Sequence, residues 1–306
     1  MTRQEVKKEI PVHREACNWG IKMVTLRRTI LVLTVVLLFT FISFGQQLYF
    51  ANEGKKKLQL LDFSDNQITT LYDTAGKPDD LILNSAGQLI YSIPDLGQVN
   101  LFDPVAGQNT TLVSGLKFAR DLEIEPGGQT MLIAIYSPGN IVRFNFATGT
   151  TTVLLKNLGT CDGIKYDPYG NLYAVANHNT IIQIDPTTGV ILDTLVLEPH
   201  QGINGGDGLT FDSYSTSLWT THNGSTGLGL VQIPVTPSGL GSTFTYFNQT
   251  SQLNGVAPDG IKSDSQGNLY IGGIFKVFVY NIPSNEITDL VVTKGADGVS
   301  LVPGTY

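Results

Sequence analysis

The sequence predicts an all-β fold, a six-bladed β-propeller, from three observations. An Asp-led opening recurs six times, short strands and tight turns alternate after each opening, and the last repeat lacks strands that the chain supplies at its other end. The openings are marked by Asp80, Asp121, Asp162, Asp207, Asp259 and Asp297, which stand 41, 41, 45, 52 and 38 residues apart. A period near forty with several strands per period is the signature of propeller blades. A pair of β-sandwiches is the alternative, and it needs no such regularity.

Pro258 to Gly273, PDGIKSDSQGNLYIGG, shows the unit most clearly. An Asp-Gly opening leads into a strand, Asp264-Ser-Gln-Gly267 makes a turn, and Asn268 to Ile271 returns as a second strand. CDGIKYDPYGNLYAVAN from Cys161, GDGLTFDSYSTSLWTTHN from Gly206, DDLILNSAGQLIYS from Asp79 and RDLEIEPGGQTMLIAIY from Arg120 repeat it. Third strands follow at Asn100–Asp103, Ile141–Asn145 and Thr180–Asp185, and the Pro186-Thr-Thr-Gly189 turn leads to a fourth from Val190 to Leu197. DGVSLVPGTY ends the chain after one strand. Near the other end, Gln47–Asn52, Lys57–Phe63 and Gln67–Tyr72 match second, third and fourth strands. One C-terminal and three N-terminal strands are therefore expected to complete the last blade, which removes two open sheet edges.

Residues 1–45 fall outside the repeats. Arg27-Arg28 precede a short apolar run, Thr29 to Phe44, and Ser43-Phe44-Gly45 offers a small-x-small cleavage site before Gln46. That is the pattern of a secretory signal peptide, with Met23 as an alternative start, and it leaves 46–306 as a single domain of an exported (periplasmic or secreted) protein. An uncleaved anchor is the other reading, although the run is short for a span. Without residues 1–45 the chain carries 12 basic and 23 acidic residues, a formal charge of −11. This disfavours nucleic acid and, after cleavage, the membrane surface as partners. Cys161 is then the lone cysteine, so no intrachain disulfide is expected.

With strands lettered A to D from the axis outward, the D–A and B–C loops share one face, and the aspartates that start each strand A ring the channel mouth there. Three histidines map to that face: His178 and His222 to B–C loops, and His200 to a D–A loop together with Asn204. Asn223 adjoins His222, and Arg120 stands beside Asp121. Polar groups converging on a concave mouth are the default site. Ionised carboxylates about 6 Å apart at an effective dielectric near 20 repel by roughly 2–3 kcal/mol per pair. Backbone N–H groups, Arg120, raised pKa values or a bound cation are the available compensations. Asp-Gly at a strand start is equally a turn device. Oxygen-only ligands suit Ca²⁺, Mg²⁺ or Mn²⁺, and a histidine ligand moves the choice towards Mn²⁺ or Zn²⁺.

Pro258-Asp-Gly-Ile-Lys-Ser-Asp-Ser-Gln-Gly-Asn-Leu-Tyr resembles the segment that carries the metal-binding, catalytic aspartate of the SMP-30/gluconolactonase/LRE-like family. It is also similar to NHL repeats, which are mostly non-enzymatic. The family resemblance implies a six-bladed propeller with one divalent cation in the channel, Asp259 as ligand and general base, and lactone hydrolysis. Asp207 falls where the family usually has an asparagine ligand, and Asp162 where a substrate-contacting asparagine is expected. Pro78-Asp79-Asp80 stands near the family's first-blade glutamate without matching it.

Two functions are therefore carried forward. In the first, a cation held by Asp259, Asp207, Asp162 and Asp80 polarises a lactone or ester, and His178, His200, His222, Asn204, Asn223 and Arg120 hold the substrate. In the second, a non-catalytic propeller binds a small molecule or a protein at the same mouth. A streptogramin-inactivating type of lyase ranks last, for want of its histidine–glutamate arrangement.

Overall fold

The hairpins follow from turn chemistry that the sequence repeats. In the computed structural model, which describes residues 46–197, 206–214, 216–224, 227–248, 258–273, 276–292 and 295–303, the Asp264 carboxylate organises the A–B turn of blade 5. One oxygen accepts the N–H groups of Gln266 (2.8 Å) and Asn268 (2.9 Å), and the other takes the Asn268 amide (2.7 Å) and the Tyr270 hydroxyl (3.0 Å). Asp167 does the same in blade 3 with Tyr169, Asn171 and Tyr173. The recurring D-x-x-G-N-L-Y is thus a self-capped turn in which the carboxylate replaces missing backbone partners. At the C–D turns, Asp103 and Asp185 cap in the same manner.

Six antiparallel sheets result. Blade 1 holds strands Leu81–Leu83, Leu89–Ile93, Gln98–Asp103 and Gln108–Val113; blade 2 holds Ala119–Ile124, Thr130–Ile135, Asn140–Asn145 and Thr151–Leu155. Blade 3 runs Cys161–Tyr166, Leu172–Ala176, Thr180–Ile184 and Ile191–Val196. Blade 4 runs Gly206–Phe211, Ser217–Gly224, Gly227–Thr236 and Thr245–Asn248, with Gly239–Leu240 added on the third strand. Blade 5 has Pro258–Ser263, Asn268–Gly273, Lys276–Asn281 and Glu286–Val292. Blade 6 joins Ala296–Leu301 to Gln47–Asn52, Lys57–Asp62 and Gln67–Asp73, with Leu48 opposite Leu301 and Phe50 opposite Val299. The strands A touch one another in order around a closed ring, blade 6 meeting blade 1. The leader expected in residues 1–45 lies outside the described residues.

Apolar burial holds the blades face to face. Each of six core clusters sits between two neighbouring sheets, as where Leu132 and Ile141 of blade 2 meet Ile164, Leu172 and Ile182 of blade 3. Strand B of a blade is covered on both faces and is buried almost throughout, whereas strand D of blade 3 is exposed almost throughout. Tyr173, Trp219, Tyr270 and Phe278 fill these layers, and Cys161 is a free thiol within the blade 2–blade 3 core.

Every strand A from blade 2 to blade 6 carries a bulge where it reaches the channel. Pairing skips two residues between Ala119 and Leu122, Cys161 and Ile164, Gly206 and Leu209, and Pro258 and Ile261, and shifts likewise between Ala296 and Val299. The skipped residues are the Asp-Gly pairs of blades 3 to 6. Their glycines are required by crowding: a Cβ on Gly163 would stand 2.3 Å from the carbonyl oxygen of Asp207, and one on Gly298 would stand 2.6 Å from that of Asp79. The Asp-Gly opening is thus first a joint that lets each blade press its backbone against the next.

Candidate functional site at the channel mouth

The bulge register changes which residues are equivalent. Counting back from the first apolar residue of the regular A–B pairing (Leu81, Leu122, Ile164, Leu209, Ile261, Val299), which follows the bulge in blades 2 to 6, puts Asp79, Arg120, Asp162, Asp207, Asp259 and Asp297 at one position. The alignment on leading aspartates is off by one residue in blades 1 and 2. Asp80 and Asp121 occupy the position that is glycine elsewhere. The reason is that a two-residue bulge leaves the ladder, not the acidic side chain, to set the register. The ring therefore consists of five aspartates and one arginine.

The side chains of this ring turn towards one another. Arg120 lies between its two ring neighbours, with Nη1 3.8 Å from Asp79 Oδ2 and 3.7 Å from Asp162 Oδ1. Its guanidinium carbon is 4.5 Å from the centre of the Tyr136 ring, a cation–π contact. Burial pulls the guanidinium pKa down, but Asp79, Asp162, Asp259 and Asp207 outweigh it and the net shift is upward. At about 4 Å and an effective dielectric near 20, a fully charged pair would gain on the order of 4 kcal/mol, but burial opposes it and holds the Asp79 carboxyl well above its usual range against the pull of Arg120.

The remaining aspartates pair as acid and carboxylate. Asp162 and Asp207 hydrogen-bond through their side chains, and so do Asp259 and Asp297. Burial first, and then the neighbouring carboxylates, push Asp297 up to about 10 and Asp207 well above the usual carboxylate range. Asp162 rises to about 6, through burial against the pull of Arg120. Asp297 is thus the proton donor of its pair and Asp207 of the other, as expected for carboxyls too close to ionise together. Asp121 is raised by burial and by Asp80, with which it shares a side-chain hydrogen bond.

Asp80 and Asp121 also stitch blades. Asp80 Oδ2 accepts the Leu122 N–H at 3.0 Å, and Asp121 Oδ2 accepts the Ile164 N–H at 2.6 Å. Lys262 lies near both, and although burial lowers its pKa, Asp80, Asp121 and Glu123 raise it overall. Glu123 continues the series by taking Lys165 Nζ at 2.8 Å and the Tyr166 N–H at 3.2 Å.

The histidines are placed differently from one another. His178 is half-buried at the mouth, its Nε2 3.4 Å from the Tyr136 hydroxyl. It and Asn177 both adopt left-handed backbone, φ 65° and 48°, a region that Asn and His enter more readily than most non-glycine residues. A Cβ on Gly159 would stand 2.1 Å from Asn177 Oδ1, and the Asn177 N–H donates to the Thr160 carbonyl at 3.1 Å, so the loop that leads into blade 3 fixes this turn. His222 lies within strand B, not in a B–C loop, because that hairpin stays paired out to Gly224 and Gly227. Only 1% exposed, it contacts the Tyr246 hydroxyl through Nε2; burial lowers its pKa to about 4, so the ring is neutral. Asn223 shares that strand. His200 and Asn204 lie outside the described residues.

The channel is lined by Asp79, Arg120, Asp162, Asp207 and Asp259, with Asp80, Asp121 and Lys262. Asp79 and Tyr136 escaped the sequence reading. Aligning on the apolar residue after the bulge would have found Asp79, and placing aromatics as well as histidines on the B–C loops would have found Tyr136. The donor set does not fit a divalent cation. Its carboxylates are engaged with Arg120 and one another, and among the described residues no three His, Cys, Asp or Glu side chains converge to hold an ion.

No protein-family model matches the sequence, and no curated protein does. Solved structures share the fold at low identity. A nidogen/laminin complex chain aligns with TM-score 0.66 at 17% identity over 84% of this chain and 98% of its own. A gluconolactonase from Xanthomonas campestris aligns with TM-score 0.64 at 15% over 82% and 86%. Virginiamycin B lyase from Staphylococcus aureus aligns with TM-score 0.59 at 17% over 82% and 85%. At such identities these neighbours establish the propeller fold alone.

Proposed function

We propose that the chain is a non-catalytic propeller that binds a polar ligand, a small molecule or a protein segment, at the channel mouth through Arg120, Tyr136 and His178. The observation that carries this is the Asn177–His178 turn at the mouth. It holds an imidazole against the Tyr136 hydroxyl, whose ring in turn stacks on Arg120. Polar and aromatic groups converging at a concave mouth fit a ligand site. The channel aspartates, by contrast, have architectural duties, and this favours binding over metal-dependent hydrolysis. The same reading has the protein working outside the cytoplasm after loss of residues 1–45; an exported chain whose N-terminus sequences as Gln46 is the expected result.

A library of small acids, esters, amides and sugars, screened by ligand-observed NMR, tests the site. Ligands of the wild type should lose binding at least tenfold in Tyr136→Ala and His178→Ala while the fold persists. Hits indifferent to both substitutions would remove the assignment. Turnover of a lactone or ester panel with added Ca²⁺, Mg²⁺, Mn²⁺ or Zn²⁺ would return the chain to the hydrolases.

A further inference from the structure

Five of the six blades place an aspartate at the channel position and one places an arginine. That arginine is not paired with a single partner. Its two carboxylate contacts are almost equal, 3.8 Å to Asp79 and 3.7 Å to Asp162, and it also feels Asp259 and Asp207 across the channel. Its Nε is buried and has no hydrogen-bond partner, so the side chain is held by the surrounding charge more than by directed bonds. Tyr136 covers one face of the guanidinium.

We infer that Arg120 is the built-in cation of this channel, a covalently attached charge at the place where the resemblance implies a divalent metal. The Asp79 and Asp162 carboxylates flank one positive centre, and Asp207 and Asp259 line the same channel. The guanidinium supplies charge there, cannot lose it near neutral pH, and cannot dissociate. Removing it should leave an uncompensated acidic ring. The freed carboxylates of Asp79 and Asp162 should then accept Ca²⁺, whose flexible, oxygen-rich coordination tolerates an unplanned site better than Mg²⁺ does. This inference is independent of what binds at the mouth and stands or falls without it.

The test is thermal unfolding of wild type, Arg120→Met and Arg120→Lys, each stripped with chelator and titrated with Ca²⁺. Wild type and Arg120→Lys should keep their midpoints to within about 1 °C. Arg120→Met should fall without the ion and rise by about 5 °C or more at a hundredfold excess over its dissociation constant. A folded Arg120→Met that ignores Ca²⁺ overturns the inference, and so does a wild type that responds as strongly. If Arg120→Met does not fold even with Ca²⁺, the triple variant Arg120→Met/Asp79→Asn/Asp162→Asn decides. Recovery of a cooperative transition supports the counter-charge role, and failure to recover rejects it.

Discussion

Asp297→Asn should make the protein more stable as the pH rises. The folded state raises this carboxyl from the ordinary value of 3.8 to about 10, through burial first and then through Asp259, Asp79 and Glu53. A group whose folded pKa is raised contributes stability that is complete below its unfolded pKa and is lost as pH rises through the folded one. The window is therefore about pH 4 to 10. One pH unit within it is worth at most about 1.4 kcal/mol, so the three units from pH 5 to 8 set a ceiling of roughly 4 kcal/mol. With the effective dielectric near 20 that describes such sites, about 2 kcal/mol is the working expectation. Asparagine donates to the Asp259 carboxylate as the protonated acid does and does not titrate. Urea unfolding of wild type and Asp297→Asn at pH 5, 6.5 and 8 should show the difference between them widening by about 2 kcal/mol in favour of the variant. A constant difference, or a variant that loses ground at pH 8, would refute the shared proton.

Two other perturbations follow from the same structure. Gly163→Ala puts a Cβ 2.3 Å from the Asp207 carbonyl oxygen, which as backbone cannot swing away, and should lower stability by about 2–3 kcal/mol in urea unfolding; an effect under about 0.5 kcal/mol would mean the joint is slack. His222 has its pKa lowered to about 4 by burial, so its contribution is complete above about pH 6.5 and is lost as pH falls towards 4. His222→Gln should remove that part of the acid limb, seen as a shallower fall in unfolding midpoint between pH 6.5 and 4.5.

The blades were legible because their turns are written in side chains that stay local. Asp167 and Asp264 bind N–H groups two to four residues on, so the device recurs as a motif wherever a hairpin does. Closure was legible for the same reason, from the strands missing at one end and present at the other. The identity of the ring was not. Asp80 and Asp121 look like Asp162 in the sequence, yet the bulge moves them one place along, and only the ladder register reveals it. The role of Arg120 depends on carboxylates from blades 1, 3, 4 and 5. No spacing in the chain encodes that convergence. His222 reads as a B–C loop residue by its place in the repeat, whereas the strand pairing runs on to Gly224.

The central claim is that the channel aspartates are neutralised from within, by shared protons and by Arg120. It is tested most directly by a carbon-13 NMR titration of the aspartate carboxyls in the chelator-treated protein. The account predicts that Asp297 remains protonated at pH 7 and that added Ca²⁺ leaves the carboxyl resonances in place. Carboxyls that are all ionised by pH 5, with signals that move when the cation is added, would contradict it and restore a metal to the channel.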